Sequence, residues 1–187
     1  VAVWSWNTCL DLVCGDVVVW KKKKKTPLCA VACQHILAEV LAQNKIKEGV
    51  SSLVIGDKKI GELIAHDCRV ALVSATGSTR MGIEVNKVVA ARLGKAILEL
   101  GGNNAIIVTP DADLKIMLTS AVFGAVGTAG QRCTTTRRLI IHESIYDKVK
   151  ESLVNAYKQI KIGNPLDSAN HVGPLIDQDA VKMYTDA

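Results

Sequence analysis

Short runs of Val, Ile and Leu alternate with longer helical segments along most of this chain, and the connections between them are short. Strands that are joined through helices run parallel and are usually covered on both faces. Aromatic residues make up only 4% of the chain, so its core has to be built from aliphatic side chains. The pattern therefore predicts an α/β fold with a doubly wound, Rossmann-type parallel sheet.

Hydrophobic periodicity and Gly or Pro breaks predict the order of the elements. Strands are expected at 17–20, 52–55, 70–74, 96–100, 105–108 and 138–142, and helices at 27–43, 61–66, 80–93, 112–126 and 145–160. The tail after 166 is expected to be loop and the start of a helix. A Gly-Gly-Asn-Asn hinge predicts two domains, 1–102 and 103–187.

The positive charge of the chain is local. The formal net charge is +5, but Lys21 to Lys25 are consecutive, and the rest of the chain is balanced. Nucleic-acid-binding surfaces usually spread basic residues over a face, so nucleic acid is not expected as a partner. The longest uncharged stretch, 116–131, is too short and polar to span a bilayer, and no signal peptide is visible, so no membrane is expected.

The six cysteines are expected to be free, because no secretory signal is visible. Cys29, Cys33 and His35 lie close in sequence, but no second pair has the spacing of a zinc site, so no metal is expected. Most of the cysteines are predicted to be small core residues. Free thiols indicate a reducing compartment, either the cytoplasm or the mitochondrial matrix.

The strongest local signal is the segment 130–135, Gly-Gln-Arg-Cys-Thr-Thr. It places Cys133 after a glycine turn and beside Arg132. A neighbouring cation increases the thiolate fraction of a cysteine, which makes Cys133 a candidate nucleophile. A buried cysteine in a loop of small residues fits the hexapeptide equally well.

Glu99 ends an apolar strand and precedes Leu100 and a glycine pair. Active sites gather at the carboxyl ends of strands in doubly wound sheets, so this carboxylate could act as a general base. An exposed Glu without a catalytic role is the alternative, and the residue taken alone favours that alternative.

Two further segments have a functional and a structural interpretation. The turn 76–82, which contains Gly77 and Ser78, lies between a predicted strand and a predicted helix and could offer N–H groups to a phosphate. It matches neither the Walker A nor the G-x-G-x-x-G pattern, so an ordinary turn fits as well. Asn7 could donate its amide to an oxyanion, or simply cap the start of a helix.

Taken together, these segments resemble the NAD(P)-dependent aldehyde dehydrogenases. The shared motifs follow in the family's order: Asn7, Lys21, Gly77-Ser78, Glu99-Leu100-Gly101-Gly102 and Gly130-Gln131-Arg132-Cys133. The stretches 98–105 and 127–135 are most similar to the antiquitin branch, which oxidises α-aminoadipic semialdehyde. The resemblance covers essentially the whole chain and corresponds to the middle of the family, without its N-terminal segment or the second half of its catalytic domain.

The resemblance implies that residues 1–102 are part of the NAD(P)-binding domain and that 103–187 begin the catalytic domain. Cys133 would attack the aldehyde, Asn7 and the Cys133 N–H would hold the oxyanion, and Glu99 would activate water to hydrolyse the thioester. Arg132 would recognise the polar end of the substrate. The residues implied in binding NAD or NADP are Lys21, Gly56, Gly77, Ser78 and Leu100.

The lysine run departs from the family pattern. Many members have a Glu three residues after the position of Lys21, and Lys24 stands there in this chain. A lysine at this position could attract a 2′-phosphate, so Lys24 is a further candidate cofactor ligand and favours tolerance of NADP.

The leading hypothesis is an aldehyde dehydrogenase, whole or in part, that acts on a small-molecule aldehyde and is a homo-oligomer in full length. A second hypothesis is an inactive member of the family with a structural or binding role, whose Cys133 would react slowly. A third is a module that binds an anionic partner through the lysine run, with an affinity that falls steeply with salt.

Overall fold

A computed structural model describes residues 1–22 and 25–187. Their contacts divide them into two compact units, Val1–Leu100 and Gly101–Ala187. The helices are α1 (Ala2–Cys14), α2 (Pro27–Gln43), α3 (Lys58–His66), α4 (Thr79–Ala91), α5 (Leu114–Val126), α6 (Tyr146–Lys158) and α7 (Gln178–Thr185). The strands are β1 (Val18–Lys22), β2 (Ser51–Ile55), β3 (Leu72–Thr76), β4 (Lys95–Glu99), β5 (Asn104–Val108) and β6 (Thr136–Ile141).

The strands form three parallel pairs, β1 with β2, β3 with β4, and β5 with β6. One helix connects the two strands of each pair, so each pair is a β-α-β unit. The first two pairs lie in the first unit and the third lies in the second. The α/β class with parallel strands, predicted from the sequence, is confirmed. No helix formed by the described residues is both long and apolar enough to cross a membrane.

The best-packed core of the first unit lies between α3, β3 and α4. Ala65, Val73 and Val89 are buried there, and partly buried Val and Ala side chains surround them. Arg92, directly after α4, closes this core. Its guanidinium donates to the carbonyl oxygen of Ala65 at 2.9 Å and to that of Val70 at 2.7 Å. These bonds satisfy carbonyls at the end of α3 and in the loop that follows it.

The core of the second unit lies between the β5–β6 pair, α5 and α6. Val108 and Val149 are almost fully buried, and Met117 and Ala121 of α5 complete the cluster. Aliphatic side chains from both strands pack around it, which explains why the core needs few aromatic residues.

Local hydrogen bonds explain two of the differences between the observed and the predicted boundaries. Strand β3 begins at Leu72 instead of residue 70, because residues 67–70 form a turn in which the Val70 N–H donates to the Asp67 carbonyl at 3.1 Å. Helix α5 begins at Leu114 instead of residue 112, because the Asp113 side chain accepts the N–H groups of Lys115 and Ile116 as an N-cap.

The prediction that most cysteines are core residues is wrong. Cys33 is half-buried, and the other five are exposed: Cys9, Cys14, Cys29, Cys68 and Cys133. Ala, Val, Met and Leu fill the two cores instead.

Candidate functional site

The turn after β3 is bonded to the end of the neighbouring strand. Thr76 lies opposite Glu99 in the last register position of the β3–β4 pair. The N–H of the next residue, Gly77, donates to the Glu99 carbonyl oxygen at 3.0 Å. Ser78 is the N-cap of α4, and its hydroxyl accepts the Met81 N–H at 3.2 Å. Two predicted cofactor residues and the predicted base therefore share one strand end.

The residue after Glu99 is held by the same helix. Leu100 packs on Gly82 of α4, and a Cβ built on Gly82 would lie 2.5 Å from Leu100 Cδ2 and 2.6 Å from Cδ1. Gly82 is buried. Its lack of a side chain is what lets the chain leave β4 this close to α4.

The end of the β1–β2 pair repeats this arrangement. Gly56 directly follows β2, and its N–H donates to the Lys22 carbonyl oxygen at 3.2 Å. A Cβ on Gly56 would lie 2.5 Å from Ile60 Cγ1. The half-buried Lys21 extends over α3, with its Nζ 3.8 Å from where a Cβ on Gly61 would be. Lys24 lies outside the described residues.

The end of the β3–β4 pair can accept a phosphate-bearing ligand. The first turn of α4, all of which the structure describes, contains Arg80 and no acidic residue. Its N–H groups and the helix dipole favour an anion beside Gly77 and Ser78. A Cβ at position 77 would lie 2.7 Å from Met81 Cε, so only glycine fits here without a movement of the Met81 side chain. The residues fit a dinucleotide.

Asn7 lies in the middle of α1, so its interpretation as an N-cap is wrong. Its Nδ2 donates to Ser74 Oγ of β3 at 2.7 Å. The amide therefore anchors α1 on the sheet. Nothing in the sequence marks Ser74 as this partner, because the bond joins residues that are far apart in the chain.

Cys133 lies in a tight turn of the second unit that is bonded at both ends. The Thr135 N–H donates to the Arg132 carbonyl at 3.2 Å, and the Arg132 N–H donates to Thr135 Oγ1 at 3.1 Å. Thr135 is buried, whereas Cys133 is exposed. The alternative of a buried cysteine is therefore wrong. Within the described residues the Cys133 N–H has no acceptor, which leaves it available to a ligand.

The backbone before this turn is in the left-handed region for three consecutive residues. The φ angles are 56° at Thr128, 53° at Ala129 and 69° at Gly130. Left-handed backbone is unfavourable for a β-branched residue such as Thr and is easily adopted only by Gly. Such strain recurs at functional sites, where the surrounding structure maintains it.

The side chain of Arg132 folds back on this strained segment. Its Nε donates to Thr128 Oγ1 at 3.1 Å, and its guanidinium lies over the ring of Phe123 at 5.2 Å from the centroid. A Cβ on Gly127 would overlap Nη2 of Arg132. The guanidinium therefore already stabilises the loop, which adds a structural role to its predicted contact with substrate.

Hydrogen bonds of two amide side chains, which were not predicted from the sequence, fix the same loop. Asn104 Nδ2 donates to the carbonyl oxygens of Cys133 at 2.7 Å and of Thr135 at 3.0 Å. Gln131 Oε1 accepts the Ile176 N–H at 3.0 Å. The Asn-Asn doublet before the predicted strand 105–108 was the available signal for Asn104. Gln131 belongs to the segment 130–135, but nothing in the sequence pointed to its bond with Ile176.

The predicted site residues fall in both units. Asn7, Lys21, Gly56, Gly77, Ser78, Glu99 and Leu100 belong to the first unit, and Arg132 and Cys133 belong to the second. An exposed thiol on a fixed turn can act as a nucleophile, and an exposed carboxylate at a strand end can accept a proton from water. Among residues 1–22 and 25–187, no three His, Cys, Asp or Glu side chains form a group that could hold a metal ion.

Comparison with known proteins identifies the family. The profile of the aldehyde dehydrogenase family matches residues 1–187. The chain belongs to the aldehyde dehydrogenase family. It is 52% identical over 183 residues to aldehyde dehydrogenase family 7 member B4 of Arabidopsis thaliana, covering 98% of the chain and 36% of that protein. It is 50% identical over 187 residues to the α-aminoadipic semialdehyde dehydrogenase of Bos taurus, covering 100% of the chain and 35% of that protein.

Solved structures of other aldehyde dehydrogenases have the same fold. Glyceraldehyde-3-phosphate dehydrogenase of Methanocaldococcus jannaschii, complexed with NADP, matches with a TM-score of 0.86 and 34% identity, over 92% of the chain and 38% of that structure. Betaine aldehyde dehydrogenase of Staphylococcus aureus, in complex with NAD+, matches with a TM-score of 0.82 and 30% identity. This match covers 91% of the chain and 34% of that structure. The chain spans about a third of the length of the curated aldehyde dehydrogenases that it matches.

Proposed function

We propose that this chain carries the nucleophile, the base and part of the cofactor site of an NAD(P)-dependent aldehyde dehydrogenase. The observation that supports this most directly is the exposed Cys133 on its doubly bonded turn. The proposed substrate is α-aminoadipic semialdehyde, because the bovine relative is named for that aldehyde. In this proposal residues 1–102 serve the cofactor and 103–187 carry the nucleophile.

The proposed reaction assigns one role to each group. The Cys133 thiolate adds to the aldehyde carbon, and the Cys133 N–H donates to the oxyanion that forms. Bound NAD or NADP would accept the hydride, which oxidises the adduct to a thioester. Glu99 takes a proton from the water that hydrolyses the thioester, and the acid and the Cys133 thiol are released.

The cofactor residues follow from the two strand ends of the first unit. Gly77, Ser78 and the N-terminus of α4 would bind the pyrophosphate, and Leu100 would lie at the nicotinamide end. Lys21 and Gly56 would serve the adenosine end, and Lys24 would face a 2′-phosphate.

Hydrogen bonds within the structure restrict how Asn7 and Arg132 can perform their predicted roles. The Asn7 amide already donates one hydrogen to Ser74, so the oxyanion would have to accept a hydrogen bond from the second hydrogen of that amide. Arg132 would have to bind the substrate while its Nε stays on Thr128 or releases it. Homo-oligomerisation in full length, and a location in the cytoplasm or the mitochondrial matrix, complete the proposal.

The test compares Cys133→Ser with Cys68→Ser, because both thiols are exposed. In the protein that carries this chain, Cys133→Ser should reduce aldehyde-dependent NAD(P)H formation by about a thousandfold or more, whereas Cys68→Ser should leave it within about twofold. Iodoacetamide should label Cys133 faster than Cys68 at neutral pH. Slow labelling together with no oxidation would support an inactive family member instead.

Cofactor binding is tested separately by thermal unfolding of the chain with NAD and with NADP. A ligand that binds only the folded state raises the melting temperature, by an amount that grows with the logarithm of its concentration divided by its Kd. We expect a cooperative transition that either cofactor shifts upward. A cooperative transition without a shift would contradict the assignment of the cofactor residues.

A further inference from the structure

The strongest unassigned feature of the second unit is the contact of Asn104 with the Cys133 turn. One Asn104 nitrogen donates to two carbonyl oxygens, those of Cys133 and Thr135, at 2.7 and 3.0 Å. Its backbone is fixed at the same time, because Asn104 is the first residue of β5 and is paired with Thr136 of β6. The side chain therefore bridges the start of one strand to the turn that precedes the other.

The two bonds restrain the peptide that follows Cys133 and the peptide that follows Thr135. The Cys133 carbonyl belongs to the peptide that follows the nucleophile, so holding it limits rotation about the Cys133 Cα–C bond. The reciprocal bonds between Arg132 and Thr135 close the turn from the other side. The other bonds of this loop in the described part of the chain run from Gln131, Arg132 and Thr135, and none of them involves an atom of the exposed Cys133, so Asn104 makes the one hydrogen bond to its backbone there.

The amide oxygen of Asn104 lies close to Gly102. A Cβ on Gly102 would lie only 3.1 Å from Asn104 Oδ1, so the amide oxygen lies against the backbone of Gly102. The nitrogen, the only donor of the side chain, then faces the turn. An aspartate has the same shape but no hydrogen to donate, and its charge would face two carbonyl oxygens.

We propose that Asn104 is a positioning residue for the Cys133 nucleophile. It acts through the backbone of the turn and holds the thiol and the Cys133 N–H in the orientation that attack on the aldehyde requires. Small displacements of a reacting group are costly, since a shift of about 1 Å can lower a rate about a hundredfold. The inference rests on the proposed function, but the contact itself can be tested without it.

The test uses Asn104→Asp, Asn104→Ala and the matched control Asn103→Asp. The Asn103 side chain makes no hydrogen bond in the part of the chain that the structure describes. Steady-state kinetics measure kcat for aldehyde oxidation and KM for the cofactor, and hydrogen exchange measures the Thr135 amide, which donates across the turn. We expect both Asn104 variants to lower kcat about tenfold or more, to leave KM for the cofactor within about twofold, and to accelerate Thr135 exchange about tenfold.

The outcomes separate this inference from the proposed function. Unchanged exchange at Thr135 in both Asn104 variants would overturn the inference, as would faster exchange with an unchanged kcat, or equal losses in Asn103→Asp. If the unsubstituted enzyme oxidises no aldehyde, the proposed function fails. The contact is then judged on Thr135 exchange alone, where acceleration in both Asn104 variants but not in Asn103→Asp supports it.

Discussion

The side-chain amide of Asn7 donates a 2.7 Å hydrogen bond to the hydroxyl of Ser74, and the two residues are 67 positions apart in the chain. The bond fastens the middle of α1 to β3, one strand of the pair that ends at Glu99. A polar residue is disfavoured inside a helix unless its side chain finds such a partner. The sheet provides that partner here.

Asn7→Ala and Ser74→Ala should therefore have similar effects. Each removes the same bond and should lower the free energy of unfolding by about 1 kcal/mol, and the double variant should cost little more than either one alone. Urea unfolding measures both quantities. If Asn7→Ala lowers aldehyde oxidation much further than Ser74→Ala, then the amide also contacts the reacting atoms.

Gly82 should tolerate no side chain, although it lies inside a helix. A methyl group there would meet both Cδ atoms of Leu100, and overpacking of this kind costs about 1–3 kcal/mol, which exceeds the roughly 1 kcal/mol that a helix gains from Gly→Ala. We expect Gly82→Ala to lower the melting temperature and Gly101→Ala, which meets nothing within 4 Å, to leave it nearly unchanged. A higher melting temperature for Gly82→Ala would show that Leu100 moves away freely.

The left-handed segment before Cys133 predicts opposite effects at two adjacent positions. Gly130→Ala should destabilise the fold by about 1 kcal/mol, because φ is 69° there and the added methyl group would lie 3.4 Å from the Ala125 carbonyl oxygen. Ala129→Gly should not destabilise it, because glycine relieves the strain of φ at 53°. Thermal unfolding of both variants measures the difference, and the reverse order would contradict the observed backbone.

Asp67 and Arg69 form a surface pair whose effect depends on pH. The Arg69 guanidinium, which donates from Nε and Nη2, lowers the pKa of Asp67 from 3.8 to about 2, and the Arg69 backbone N–H adds to the shift. Because the folded-state pKa is the lower one, the carboxylate stabilises the fold above pH 3.8, and this stabilisation is lost as the pH falls through about 2.

Replacing the guanidinium should move the pKa of Asp67 back toward 3.8, although the backbone bond keeps part of the shift. We expect this for Arg69→Gln in an NMR titration of the carboxyl carbon. Lys58→Gln removes a different surface ion pair, that with Glu62, and is the control that should leave the pKa of Asp67 unchanged. An unchanged pKa of Asp67 in Arg69→Gln would show that the backbone bond alone causes the shift.

Lys24→Glu tests the cofactor preference proposed from the lysine run. A carboxylate would bind ribose hydroxyls and repel a 2′-phosphate, so the variant should bind NADP about tenfold more weakly relative to NAD. Titration of both cofactors, with Lys25→Glu as a neighbouring control, measures the ratio. If the ratio of the NADP and NAD affinities is unchanged in Lys24→Glu, Lys24 does not determine the cofactor preference.

The order of strands and helices between residues 17 and 160 could be predicted from the sequence, because most of these elements carry a hydrophobic pattern and a Gly or Pro stop signal, whereas helix α1 was not predicted. The observed α2 has the predicted bounds, since Pro27 starts it and its apolar positions continue to Gln43. The start of strand β3 was predicted two residues too early. Val70 is typical of a strand, but in the structure it belongs to the turn in which its N–H donates to the Asp67 carbonyl.

The candidate site was only partly predictable, for a physical reason. Cys133 and Glu99 belong to local motifs, so the sequence marks them. Ser74 and Asn104 act through single bonds to residues that the fold brings near, and an ordinary Ser or Asn carries no sign of such a partner. The exposure of the cysteines was missed because composition cannot tell a core thiol from a surface one.

The bond from the Gly77 N–H to the Glu99 carbonyl has a consequence for engineering. The turn that would bind phosphate and the strand end that carries the base share this bond, and Leu100 is packed onto the helix that Ser78 caps. In the proposed site, a substitution at Gly77 or Ser78 that displaces this turn should therefore displace the backbone of Glu99 as well. Variants selected for a new cofactor should need a second, compensating change along β4.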